Sequence, residues 1–132
     1  MNLFKSFLKD QQGSAMVEFA LVSMVLFLLL FGIVQVGLLF QTQWTLEDAA
    51  RNGVRLAAMP GNRTEAQIRN TIITIVQPSI ILTASNISIT PTIRQPGDPV
   101  TIVINLNYKT PVSFGVLPSS YNLTARAVMM QE

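Results

Sequence analysis

Residues 19–40 read FALVSMVLFLLLFGIVQVGLLF, an apolar run of 22 residues whose only polar side chains are Ser23 and Gln35. A helix rises 1.5 Å per residue and the apolar core of a bilayer is about 30 Å thick, so about 20 such residues cross it. The run therefore predicts a transmembrane helix. A cleaved secretory signal has a shorter apolar region, about 7–15 residues, with a small-x-small site directly behind it. Here the run is longer, and Leu38-Leu39-Phe40-Gln41-Thr42-Gln43-Trp44 offers no such site.

The flanks orient the span. The chain opens MNLFKSFLKDQQ, with Lys5 and Lys9 ahead of the run, and no basic residue follows the run until Arg51. By the positive-inside rule the N-terminus stays in the cytoplasm and the C-terminal part is exported. Charged residues make up 12% of the chain, against about 25% in a typical soluble domain, and the deficit is concentrated in residues 13–40, where Glu18 is the only charge. An ionised carboxylate near membrane depth either reaches water at the headgroup level or has a partner. The context is Gly13-Ser14-Ala15-Met16-Val17-Glu18-Phe19, a small residue directly before the expected helix start. The positive end of a helix dipole favours a carboxylate in its first turns. A cut after Gly13 would give Ser14 a cationic α-amine, for which Glu18 is a counter-ion between neighbouring helices.

Beyond the run, residues 41–59 contain no proline, so the helix is expected to continue until Pro60-Gly61 ends it. Trp44 suits the outer membrane interface. Glu47 and Arg51 stand four apart in the favourable order, and Arg55 extends the stripe. Ala50, Val54, Ala57 and Ala58 make a thin apolar face opposite. A helix over residues 14–58 would be about 67 Å long.

These features together resemble the type IV pilin superfamily, and more narrowly the TadE-like pseudopilins, minor pilin-like proteins of tight-adherence (Flp) pilus systems. The resemblance rests on Gly13, Glu18 and Phe19, on the apolar run behind them, and on Ala49-Ala50-Arg51-Asn52-Gly53-Val54-Arg55-Leu56-Ala57-Ala58, whose Arg51, Gly53 and Arg55 match an Arg-x-Gly-x-Arg character. The final Met129-Met130-Gln131-Glu132 also resembles the family's end. The resemblance implies a cytoplasmic leader over residues 1–13, cut after Gly13 by a membrane-embedded prepilin peptidase. Ser14 would be the new N-terminus and Glu18 the fifth mature residue, which such pilins use in peptidase recognition or subunit assembly. Phe19 takes the next, usually aromatic, position. Implied partners are the peptidase, other pilin-like subunits, the inner-membrane assembly platform and lipid, with Arg51, Gly53 and Arg55 as candidate contacts to a partner helix.

Residues 59–132 are expected to form a small exported domain. Thr64-Glu65-Ala66-Gln67 predicts a capping box, and Ile68, Ile72, Ile75 and Val76 then share a helical face over about 65–76. That segment's β-branching also allows a strand. Ile87, Ile89 and Ile93 alternate with polar neighbours, with Pro91 demoting the strand to an edge. Val100, Ile102, Ile104, Leu106 and Tyr108 alternate against Thr101, Val103, Asn105 and Asn107, and Tyr121, Leu123, Ala125, Ala127 and Met129 repeat the pattern. Gln95-Pro96-Gly97-Asp98 makes a tight turn, and a longer loop joins Lys109 to Ser120. An antiparallel meander of three strands follows, whose apolar face must be covered by the short helix and the outer half of the long one. The expected fold is α+β and pilin-like: a long N-terminal transmembrane helix continuing into a small domain with a short helix and a three-stranded antiparallel sheet.

Several functions are disfavoured by composition. The nine Lys and Arg residues are dispersed, so no basic groove for nucleic acid is formed. With no cysteine and no histidine the chain lacks thiolate metal ligands and the commonest acid–base catalyst near neutral pH. Glu47, Asp48, Glu65, Asp98 and Glu132 form no catalytic pair, and Gly97 and Gly115 are isolated rather than a phosphate cradle. Neither enzyme activity nor cofactor nor metal is expected. Asn62, Asn86 and Asn122 begin Asn-x-Ser/Thr triplets, which polar strands produce by chance. Two readings remain: a structural part that assembles through residues 14–58, or a membrane-anchored binding module acting through its loops.

Overall fold

The structure, a computed structural model, describes residues 11–59, 61, 63–91, 97–110 and 118–130. Of the expected leader, residues 1–10 lie outside the described residues, as do Ile93, Gln95 and Pro96 of the 95–98 turn, and residues 111–117 of the long loop. The elements in order are helix α1 (Gln11–Ala58), helix α2 (Glu65–Val76), a 3-10 turn (Ala84–Asn86), and strands β1 (Ile87–Thr90), β2 (Pro99–Lys109) and β3 (Ser120–Met130). This is the expected α+β, pilin-like plan. The chain divides into two compact units, Met1–Gly37 and Leu38–Glu132.

The first unit contains the N-terminal part of α1. The helix is described from Gln11 onward and runs through Gly13 without a break, and its first described turn holds no acidic residue. One glycine costs a helix about 1 kcal/mol relative to alanine, too little to break it between good helix formers.

The second unit is a sheet covered by two helices. The strands lie in the order β1-β2-β3, both pairings antiparallel. Ile102 is opposite Ile89 on one side and Ala127 on the other, and Ile104 is opposite Ile87 and Ala125. Because a strand alternates faces, this register puts all the isoleucines and both alanines on one side. There they meet Leu46, Ala49, Ala50, Val54 and Ala57 of α1 and Ile68, Ile72 and Val76 of α2 in one core, joined by Ile80 and Leu82. No polar or charged residue is buried among the described residues. The C-terminal part of α1 is thus a core element of this unit, not an appendage to it.

The small residues on α1 are what allow this packing. A Cβ on Gly53 would stand 2.5 Å from Ile72 Cδ1, 2.8 Å from Ile72 Cγ1 and 3.2 Å from Ile102 Cδ1. α2 begins with the expected box: Gln67 N–H donates to Thr64 Oγ1 (3.4 Å) and Thr64 N–H donates to Gln67 Oε1 (3.1 Å). The segment is helical, which resolves the strand alternative. Its buried stripe is Ile68, Ile72 and Val76, with Ile73 half-buried, while Ile75 is exposed. The covering face is centred between residues 72 and 76, so Ile75 falls about a quarter-turn to its side. Arg69 donates from Nη2 to Glu65 Oε2 (3.2 Å) and from Nη1 to the Ala84 carbonyl (3.1 Å), fastening α2 to the 3-10 turn. Asn86 Nδ2 donates to the Asn105 carbonyl (2.9 Å), so one glycosylation triplet uses its amide to start the sheet.

Candidate functional site

The largest feature that the chain's own packing leaves unused is the apolar part of α1. The helix over Gly13–Ala58 is long and apolar enough to cross a membrane. In the first unit its large side chains lie open: Met16 is 75% exposed and Phe19 74%, and the leucines and phenylalanines between residues 21 and 31 are about half exposed or more. Apolar surface in water is costly at roughly 25 cal/mol per Å², so a helix of this kind is stable only in a bilayer or against other helices.

Besides the short Ser14 and Ser23, two longer polar side chains break that surface, Glu18 and Gln35. Glu18 is exposed, and no ion pair reaches it among the described residues. It stands one residue before Phe19 and four after Ser14, so Ser14 and Glu18 are one helical turn apart on one face. Gln35 is half-buried, and its Nε2 is shielded with no hydrogen-bond partner.

Further along α1, in the second unit, the three expected partner contacts separate. Arg51 and Arg55 are exposed, whereas Gly53 is buried against Ile72 and Ile102 of its own chain. Gly53 is therefore occupied as a packing residue and offers no surface to a partner helix. The Glu47–Arg51 pair does not form. Glu47 Oε1 instead accepts from Gln43 Nε2 (3.0 Å), and the same Nε2 donates to the Thr124 carbonyl on β3 (3.1 Å). Gln43 thereby links helix to sheet edge, a role invisible in spacing because its partner lies 81 residues away. Arg55, Ala58, Met59 and Met129 line a cleft of about 270 Å³. Trp44 is 67% exposed. Among the described residues no three acidic side chains gather in a way that could hold a metal.

A bilayer-length apolar helix whose far end is built into the core of a small α+β domain gives the chain a pilin-like plan and suggests membrane association. The family model described as TadE-like protein matches residues 13–55, about a third of the chain. Over those residues the chain is similar to TadE-like proteins. The match contains Gly13, Ser14, Glu18, Phe19, Arg51, Gly53 and Arg55. No curated protein and no solved structure matches the chain. The match and the helix together support a structural, membrane-anchored role.

Proposed function

We propose that this chain is a minor pseudopilin of a tight-adherence pilus, processed by prepilin peptidase after Gly13 and assembled through its N-terminal helix. The observation that carries the reading is the exposed carboxylate of Glu18, which no ion pair reaches among the described residues, one turn from Ser14 on a largely apolar, open helix. An isolated carboxylate in this setting is costly. Cutting after Gly13 places a cation at Ser14 and puts Glu18 in the first turns of the shortened helix, where the dipole favours it. Packing two cut helices side by side lets the amine of one subunit meet the carboxylate of the next, which sets their axial register. The leader with Lys5 and Lys9 stays in the cytoplasm, residues 19–40 span the inner membrane, and the α+β domain faces the periplasm. The partners are the peptidase, other pilin-like subunits and the inner-membrane assembly platform. Exposed Arg51 and Arg55 are left for acidic groups on a neighbouring subunit.

A binding-module reading is favoured by the cleft beside Arg55 and Met129. The two are separated by Glu18→Ala and Gly13→Ala in the native host, read as pilus formation and as the chain's location. Assembly predicts that both variants abolish incorporation into the pilus machinery while the chain remains in the membrane. Wild-type piliation with both would leave the helix a plain anchor.

A further inference from the structure

The apolar face of the sheet runs past the core that covers it. Along β2, Val100, Ile102 and Ile104 are buried, but Leu106 and Tyr108 on the same face are only half-buried. Their partners on β3, Leu123 and Tyr121, are half-buried too. Contacts with α1 show which end of the unit this is. Gln43 reaches the Thr124 carbonyl, and Met129, further along β3, shares a cleft with Arg55, Ala58 and Met59. β3 and the C-terminal part of α1 therefore advance together, and the Tyr108–Tyr121 end lies on the side of Leu38–Phe40. From Thr124 back to Tyr121 the strand spans about 10 Å, and from Gln43 back to Phe40 the helix spans about 5 Å. The end of the sheet thus reaches the level at which the apolar run stops. There the segment after α2 places Ile81, 86% exposed, beside Leu106, Tyr108 and Lys109 around a cleft of about 390 Å³.

We infer that this end of the domain rests on the bilayer surface and that its cleft takes the headgroup of an anionic phospholipid, with Ile81 entering the acyl boundary and Lys109 meeting the phosphate. The occupant follows from position and charge. Phe40 is the last residue of the apolar run and Trp44, one turn on, is 67% exposed, so the boundary between hydrocarbon and water falls beside this end. A half-buried tyrosine, apolar in its ring and polar at its tip, suits that boundary. A lysine lays its apolar stem on such a surface and keeps its ammonium among the headgroups. Lys109 is exposed, no ion pair reaches it among the described residues, and no acidic residue occurs between Asp98 and Glu132. Strands β2 and β3 thus carry cations alone, Lys109 and Arg126, and an anionic lipid surface complements them. This rests on the reading of residues 19–40 as the membrane span and adds a second, peripheral contact to it.

The chain has no cysteine, so a single introduced cysteine reports on one position. The full chain carrying Ile81→Cys, Met130→Cys or Leu28→Cys is labelled with a nitrobenzoxadiazole fluorophore. Each is reconstituted in phosphatidylcholine vesicles with or without phosphatidylglycerol. Met130 is 66% exposed at the opposite end of β3, and Leu28 lies in the apolar run. A doxyl-labelled lipid is expected to quench the label at position 81 about threefold more than the label at position 130, and aqueous iodide to do the reverse. Phosphatidylglycerol should raise lipid quenching at position 81 about twofold, and Lys109→Gln should remove that rise. Equal lipid quenching at positions 81 and 130, a label at 81 shielded from both quenchers, or a phosphatidylglycerol response that is absent or untouched by Lys109→Gln would overturn the contact. The label at position 28 separates this contact from the reading beneath it. Lipid quenching at 28 but not at 81 removes only the domain's contact, whereas quenching of 28 by iodide alone undermines the span itself.

Discussion

A methyl group at residue 53 would overlap Ile72, a side chain that is itself fully buried. Gly→Ala inside a helix gains about 1 kcal/mol of propensity, and overpacking a filled core costs about 1–3 kcal/mol. The second term wins, so Gly53→Ala should destabilise the domain by about 1 kcal/mol. Gly53→Val brings a larger group with less propensity gain and should cost more. Urea denaturation of the three chains should rank wild type, Ala, Val in falling midpoint, and an unchanged or raised midpoint for Ala would show that the core yields there. Sequence reading found Gly53 but assigned its surface to a partner helix. The distinction was not legible because Ile72 and Ile102 approach it only once the chain has folded. Glu18 was legible for the opposite reason: a lone charge among apolar neighbours announces itself without any tertiary contact. Gln35 was visible as polar, but whether it found a partner on its own helix could be decided only with coordinates.

The elements differ in how locally they are determined. α2 is set by its own first residues, through the reciprocal bonds of Thr64 and Gln67. Thr64→Ala removes the cap acceptor and should cost about 1 kcal/mol, while Thr64→Ser should be nearly neutral. Thermal unfolding followed by far-ultraviolet circular dichroism checks this, and equal melting of the Ala variant and wild type would contradict it. β2 and β3 were legible because alternation over 11 residues each leaves only one register that buries Val100, Ile102 and Ile104 with Ala125 and Ala127. The buried face of α2 was legible except at its edge, where Ile75 has the right chemistry and the wrong angle. Glu47 and Arg51 were spaced for an ion pair, but Gln43 takes the carboxylate because the same amide also reaches β3.

At the scale of the molecule, α1 serves two solvents. Its first part is open and apolar, and its last turns supply Leu46, Ala49, Ala50, Val54 and Ala57 to the core of the second unit. A chain beginning at Leu38 contains that whole unit and should unfold in one cooperative step. A chain beginning at Gly61 lacks five core residues and should lose the transition. Comparable cooperativity and stability in both would show that the helix is not part of the core.

The central claim is that this rod is cut free of a basic leader before it is used. The most direct measurement is the intact mass of the chain purified from the membranes of its host. The account predicts a mature polypeptide that starts at Ser14. A chain retaining Met1 in cells with active prepilin peptidase, or one cut beyond residue 40, would contradict it.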